Sequence, residues 1–154
     1  MKSVAIIPCY KSKGKAEKVV LDTLKYVDKV ICVDDNCPIQ TGESIRKKVA
    51  QENLIIIRNK INMGVGGAFK VGLAAALEMG ADLVIKIDSD GQMNPELIPL
   101  FLNPLKKNSA SFVKGNRFMT SNVLYKMPRV RLIGNLFLGI LTKLSTGYWE
   151  IEDP

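Results

Sequence analysis

The chain reads as a doubly wound α/β domain with a mostly parallel sheet, and three observations predict this. Five short β-branched runs alternate with longer segments of helical period, an order that builds β-α-β units with right-handed crossovers. The runs are apolar at consecutive rather than alternate positions, as strands covered on both faces are. At 154 residues the chain suits one domain, large enough to bury about 70% of its unfolded surface without staples.

The elements follow in order. "SVAIIP" (3–8) predicts the first strand and "KAEKVVLDTLKYV" (15–27) the first helix, in which Val19, Val20, Thr23, Leu24 and Val27 form one apolar stripe. "KVICVD" (29–34), "LIIIR" (54–58), "DLVIKID" (82–88) and "SFVKG" (111–115) predict four more strands. Between them, "GESIRKKVAQE" (42–52) and "GGAFKVGLAAALEMG" (66–80) predict helices. So does "PELIPLFLNPLKK" (95–107), where Asn94 supplies an N-cap and Pro95 the first helical position. Pro99 and Pro104 weaken its later course. "RLIGNLFLGILTKL" (131–144) is apolar at 132, 133, 136, 137, 140, 141 and 144, the pattern of an amphipathic helix with a wide apolar face. Two destinations stay open for that face: a membrane interface, with Arg131 and Lys143 at basic ends, or packing against protein. There is no repeat, low-complexity tract or internal linker.

Composition narrows the chemistry. The chain has no histidine, which removes histidine-based triads, histidine-ligated zinc and imidazole bases. Acid-base or metal chemistry therefore falls to carboxylates. Cys9, Cys32 and Cys37 are odd in number and lack a C-x-x-C spacing, so reduced, structural thiols inside a cell are expected. A net charge of +7 and a pI near 9.4 favour an anionic partner: a nucleotide, a phospholipid surface or nucleic acid. No run reaches the roughly 18–20 apolar residues of a membrane span, and "MKSVAIIPCYKSKGK" lacks the layout of a signal peptide. The expected location is the cytoplasm, with peripheral contact at the cytoplasmic membrane face.

Doubly wound sheets bind ligands at the carboxyl ends of their strands, and three polar clusters stand there. Strand one ends in Pro8 and Tyr10, strand two in Asp34, Asp35 and Asn36, strand four in Asp88, Asp90 and Gln92. Residues two apart in extended chain project to one side, so Asp88 and Asp90 bring their carboxylates together. Two such charges in a partly desolvated pocket raise one another's pKa unless a cation compensates. Mg²⁺ or Mn²⁺, held by Asp88, Asp90 and Gln92 with substrate phosphates completing the shell, answers that need. The D-x-D of aspartyl-phosphate phosphatases differs: it continues to Thr or Val where Gln92 stands, and it belongs on the first strand. "MGVGGA" (63–68) departs from the dinucleotide spacing G-x-G-x-x-G, yet a glycine-rich loop opening a helix is an anion cradle through its free N–H groups.

In this order the motifs resemble the family 2 glycosyltransferases of GT-A fold, the Rossmann-like arrangement of nucleotide-diphospho-sugar transferases, and in particular the dolichyl- or polyprenyl-phosphate sugar synthases. "IIPCY" is similar to the family's opening strand, where the nucleotide base packs on Pro8 and Tyr10, and "VDDN" to the acidic pair, Asp34 and Asp35, that contacts base and ribose. "NMGVGGAFKVGLAAA" resembles the glycine-rich helix start, with Gly64, Gly66 and Gly67, and "DSDGQMNPELIP" the D-x-D signature. "GNRF" (115–118) resembles the segment whose arginine, here Arg117, approaches the donor phosphates, and 127–154 the acceptor-side segment.

The resemblance implies an inverting, Mg²⁺- or Mn²⁺-dependent transfer from a nucleoside diphosphate sugar to a lipid-phosphate or saccharide acceptor, with no nucleic acid partner. Asp90 would ligate the metal, and Asp88 would hold sugar hydroxyls and share the metal shell. Arg117 would offset leaving-group charge, and Arg131 would grip an acceptor phosphate. Asp153 would take the proton of a hydroxyl acceptor. Two departures stand out: Lys11 and Ser12 replace the family's Asn-Glu, and the sequence given ends at Pro154 inside the acceptor motif, so residues 1–154 are expected to be one GT-A domain incomplete at its carboxyl end. A nucleotide-sugar-binding module without turnover remains an alternative. So does a nucleotidyltransferase, although its glycine loop follows strand one, where "CYKSKGK" holds a single glycine.

Overall fold

The computed structural model describes residues 1–115 and 129–147. The chain divides into two compact units, 1–113 and 114–154. In the first, β1 (Ser3–Cys9), β2 (Lys29–Asp34), β3 (Leu54–Arg58) and β4 (Leu83–Lys86) form one sheet. Its order is β3-β2-β1-β4 and every pairing is parallel. The helices α1 (Ala16–Thr23), α2 (Thr41–Lys48), α3 (Gly64–Glu78) and α4 (Ile98–Lys106) connect and follow the strands.

Strand β1 is buried at every position, which explains its unbroken apolar run. Ala5, Ile7 and Cys9 alternate with Val4 and Ile6, and the two sets enter different cores. The first core also takes Val19 and Val20 of α1, Ile45 of α2, and Ile98 and Leu102 of α4. The second takes Ile31 and Val33 of β2 with Ala68 and Ala76 of α3. Small residues on α3 let it lie close to the sheet. At Gly72 an added Cβ would stand 2.5 Å from Ile6 Cγ2 and 3.2 Å from Val33 Cγ2.

Polar contacts fix the loops. The Asp28 carboxylate accepts the Ser3 N–H and hydroxyl, both at 2.7 Å, and these bonds hold its pKa below the usual value. Glu17 accepts the Ser44 hydroxyl at 2.6 Å, the Gly14 N–H at 2.6 Å and Lys48 Nζ at 3.4 Å, joining α1 to α2. Burial pushes that carboxyl up, but these donors together with its own backbone N–H outweigh burial and hold it low. Cys9, Cys32 and Cys37 are free and buried, as expected. Cys32 lies beside Cys9, and that thiol neighbour together with burial pushes its pKa well up.

The structure corrects the sequence reading at several points. The first helix ends at Thr23 rather than 27 and the second at Lys48 rather than 52. Residues 111–115 form no strand; Phe112 and Val113 are the whole apolar content of that run, and Phe112 is 79% exposed. The third helix starts two residues early, at Gly64, so the glycines lie inside its first turn rather than in a preceding loop. The Asn94 cap does form, its side chain accepting the Glu96 N–H at 3.1 Å, but it opens a 3-10 turn at Pro95–Leu97 before α4. In the second unit a helix, α5 (Arg129–Thr146), covers the predicted amphipathic stretch. Phe137, Ile140, Leu141 and Leu144 are exposed on it. Among the described residues no helix is long and apolar enough to cross a membrane.

Candidate functional site

Chain direction and one proline open the site. From β1 the chain runs outward through β2 to β3, then α3 returns it to β4 on the other flank of β1. Ligands bind beyond the carboxyl ends of strands at such a reversal. Ile6 O accepts the Ile87 N–H at 3.0 Å, so two residues further along β1 the next N–H would turn toward the same neighbour. That residue is Pro8, which has no N–H to give. Pairing of β1 with β4 stops at Ile6 and Lys86, and the strands part into a cleft of about 360 Å³.

The cleft is lined by Pro8, Cys9 and Tyr10 from β1, Asp35 after β2, Asn62, Gly64, Val65 and Ala68 around the start of α3, and Asp88, Ser89 and Asp90 after β4. Tyr10 is 45% exposed, and Lys11 Nζ lies 5.3 Å from its ring centroid, within cation–π range. The Lys11 N–H donates to Cys37 Sγ at 3.1 Å, and Cys37 Sγ stands 3.2 Å from the Thr41 hydroxyl. Burial raises the Cys37 pKa, but those bonds and the N–H groups of Thr41 and Ile39 lower it on balance.

The adjacent acids of β2 part company. Asp35 is 3% exposed and accepts Asn59 Nδ2 at 2.7 Å and the Met63 N–H at 2.9 and 3.1 Å, which fixes the entry to α3. Asp34 is 1% exposed and does not line the cleft. Its oxygens accept the Cys37 N–H and the Gly42 N–H, both at 2.7 Å. A Cβ at Gly42 would lie 2.8 Å from Asp34 Oδ2. Asp34, expected to contact base and ribose, thus spends its carboxylate on the turn before α2, while its neighbour Asp35 alternates to the cleft side.

Beyond β4 the expected pair is present: Asp88 and Asp90 line one wall. Asp90 Oδ1 accepts the Gln92 N–H at 2.9 Å across Gly91, whose φ is 78°. Asp88 is ion-paired with Lys86, a residue the sequence reading did not single out although it obeys the same two-residue spacing. Between the aspartates, the Ser89 hydroxyl donates to or accepts from Ser12 at 2.8 Å, both side chains buried. Ser12, a departure from the family pattern, thus supports the aspartate loop.

Not every expected residue reaches the cleft. Gly64 lines it with φ of 74°, whereas Gly66 and Gly67 do not line it. A Cβ at Gly67 would collide with the Met63 side chain, so its smallness serves the helix turn. Gln92 is exposed and contacts Asp90 through its backbone. Arg131 falls in the first turn of α5. Arg117 and Asp153 lie outside the described residues.

Among the described strands every pairing is parallel and the reversal point carries an acidic cleft, an arrangement that agrees with an α/β fold of the GT-A kind. The profile of glycosyl transferase family 2 matches residues 4–152, and the chain belongs to that family. An uncharacterized protein of Methanocaldococcus jannaschii is 33% identical over 88% of this chain and 56% of its own length. The UDP-N-acetylglucosamine–dolichyl-phosphate N-acetylglucosaminyltransferase of Methanococcus voltae is 32% identical over 96% of this chain and 64% of its own. For the undecaprenyl-phosphate mannosyltransferase of Micrococcus luteus the values are 28%, 96% and 65%. The chain thus spans between 56% and 65% of the length of these relatives. The structure of TarS 1–349 from S. aureus shares the fold, with a TM-score of 0.52 at 24% identity over 71% of this chain and 33% of that one.

Proposed function

We propose that this chain carries the donor site of a metal-dependent, inverting glycosyltransferase that moves a sugar from a nucleoside diphosphate to a polyprenyl-type lipid phosphate. The observation that carries the reading is the meeting of Tyr10, Asp35, Gly64, Asp88 and Asp90 in one cleft at the sheet's reversal point. The names of the M. voltae and M. luteus relatives, both transferases to a polyprenyl-type phosphate, support the acceptor class.

In this reading the base stacks on Tyr10, and Asp35, rigid in its three hydrogen bonds, meets the ribose. The Gly64 N–H donates to Asn62 Oδ1 at 3.0 Å, and in this reading the N–H groups that follow it in the first turn of α3 meet the diphosphate. The donor set fits a hard divalent ion. Asp88 and Asp90 are two carboxylates on one wall, and one oxygen of Asp90 is committed to the Gln92 N–H. Mg²⁺ is commonly held by one or two carboxylates plus substrate phosphates. Asp90 would hold Mg²⁺ or Mn²⁺, with Asp88 and the Gln92 amide oxygen nearby. When bound, the ion supplies charge neutralisation for the departing diphosphate.

The acceptor oxygen attacks the anomeric carbon opposite the diphosphate, the new C–O bond forming as the bond to the leaving oxygen breaks, so configuration inverts. A lipid phosphate arrives ionised and needs no strong base; a hydroxyl acceptor would pass its proton to Asp153. Arg117 is assigned to the leaving diphosphate and Arg131 to the acceptor phosphate. Such an enzyme works at the cytoplasmic face of a membrane, with α5 as its point of contact.

A thermal-shift panel of UDP-, GDP- and dTDP-sugars, each with and without Mn²⁺, tests the reading. Binding to the native state alone raises the midpoint by mass action. One family of donors should stabilise the protein, and more so with Mn²⁺. No shift with any donor overturns the proposal, and donor binding without transfer to a polyprenyl phosphate reduces it to a binding module.

A further inference from the structure

We propose that Lys86 is a positioning residue of this site: its ammonium group neutralises Asp88 and so supplies part of the charge compensation otherwise left to a divalent ion and Arg117. The inference rests on the donor-site reading. It starts from an imbalance in the cleft. Three carboxylates, those of Asp35, Asp88 and Asp90, line it, and among the described lining residues there is no lysine or arginine. A nucleoside diphosphate adds further negative charge. Asp35 is satisfied by neutral donors, so its bonds orient the carboxylate without cancelling its charge.

Lys86 reaches this wall from outside. It is the last residue of β4, opposite Ile6 in the ladder. Its neighbours Ile85 and Ile87 pack with the core that holds α1 and α4, whereas Val84 packs with the core that holds α3. Lys86 shares the parity of Val84 and Asp88, and its Nζ pairs with Asp88 Oδ1. Both side chains are a little over one-third exposed, so the ammonium keeps water while holding the carboxylate. Asp88 is then fixed and neutralised, and Asp90, whose one hydrogen bond among the described residues is from the Gln92 N–H to one oxygen, is the carboxylate left for a cation. The pair of aspartates is asymmetric, with the chain's own cation serving one and the solvent's serving the other.

A lysine on an edge strand also discourages strand addition, and among the described strands β4 is an edge of this sheet. That role needs no Asp88 and predicts no effect on ligand charge. Calorimetric titration of the whole chain separates the two, using UDP, GDP and dTDP and the matching nucleosides, in EDTA and in Mn²⁺. In EDTA, Lys86→Met should weaken binding of the preferred nucleoside diphosphate about tenfold, the scale of one nearby charge at a partly exposed site. Binding of its nucleoside should be unchanged. Mn²⁺ should bring Lys86→Met back to within about threefold of the parent, and Lys86→Arg should match the parent in EDTA. The proposal fails if Lys86→Met equals the parent in EDTA, loses nucleoside and diphosphate alike, or gains nothing from Mn²⁺. It also fails if the parent binds diphosphate only with Mn²⁺. A parent that binds no nucleotide under either condition overturns the donor-site reading and this inference together, whereas a binding parent with an indifferent Lys86→Met overturns this inference alone.

Discussion

The hydroxyls of Ser12 and Ser89 lie 2.8 Å apart in a buried position, joining the loop after β1 to the loop that carries Asp88 and Asp90. This bond ties the aromatic wall of the cleft to its acidic wall. Ser12→Ala or Ser89→Ala leaves one buried hydroxyl unpaired, a cost of about 1–3 kcal/mol. The double variant removes both groups and should lose less than the sum of the singles, by at least about 0.5 kcal/mol. Urea denaturation of the four proteins checks this; simple additivity would mean that the hydroxyls do not pair.

Asp34 and Asp90 should respond differently to substitution. Asp90→Asn is exposed and should leave the melting temperature unchanged while nucleotide binding loses its dependence on Mn²⁺. Asp34→Ala removes a buried carboxylate that accepts two backbone N–H groups and should destabilise the fold by about 3 kcal/mol. Thermal melts beside nucleotide titrations distinguish the two.

Gly72 and Gly66 offer an opposed pair within α3. Replacing glycine by alanine inside a helix ordinarily gains about 1 kcal/mol. At Gly66, where an added Cβ meets nothing within 4 Å, Gly66→Ala should be neutral or stabilising. At Gly72 the new methyl drives into Ile6 and Val33, and overpacking of about 1–3 kcal/mol outweighs the gain. Equal stability of the two variants would contradict the close approach of α3 to the sheet.

Acid should loosen the junction of α1 and α2 through Glu17. Its folded pKa lies below the usual value, so its contribution is fully present above the unfolded carboxyl pKa, about 4.3, and is lost as pH falls through the lower folded value. Asp28, also depressed, adds in the same direction. The difference in unfolding free energy between parent and Glu17→Gln should shrink from pH 6 to pH 3, as read by urea unfolding. A difference independent of pH would rule out the depressed pKa.

On α5, Phe137, Ile140, Leu141 and Leu144 repeat at helical spacing and are exposed, and Arg129, Arg131 and Lys143 lie on the same helix. Each basic residue near an anionic surface contributes about 1 kcal/mol, fading with salt. Sedimentation with anionic liposomes should weaken between low and high ionic strength, and Leu144→Asp should weaken it at any salt. If the parent does not sediment with liposomes at low salt, α5 is not an interfacial helix.

The layer order was legible because strands covered on both faces write themselves as unbroken apolar runs, and β1 to β4 are such runs. The run at 111–115 has only Phe112 and Val113 to bury, and it forms no strand. Pro8, Tyr10, Asp35, Gly64, Asp88 and Asp90 were legible as strand-end or helix-start polar and glycine positions, and the cleft gathers them. Asp34 looked like its neighbour on paper, since only the backbone it turns toward separates a cleft-lining carboxylate from one that anchors the turn before α2. Ser12 and Ser89 pair across 77 positions, a relation that no local spacing reveals. Lys86 lay within reach of the same two-residue rule that joined Asp88 to Asp90, applied one step toward the amino terminus.

Among the described residues, every one that lines the cleft falls between Pro8 and Asp90, inside the compact unit of residues 1–113. Under the donor reading, the groups that meet base, ribose and metal are thereby gathered on one contiguous length of chain, while Arg117, assigned to the leaving diphosphate, follows it in sequence. A crossover near residue 113 between two members of the family would pass the groups that meet base and ribose to the hybrid together, with the diphosphate's arginine coming from the other parent. Mosaic genes joined at this seam would inherit the choice of base as one block.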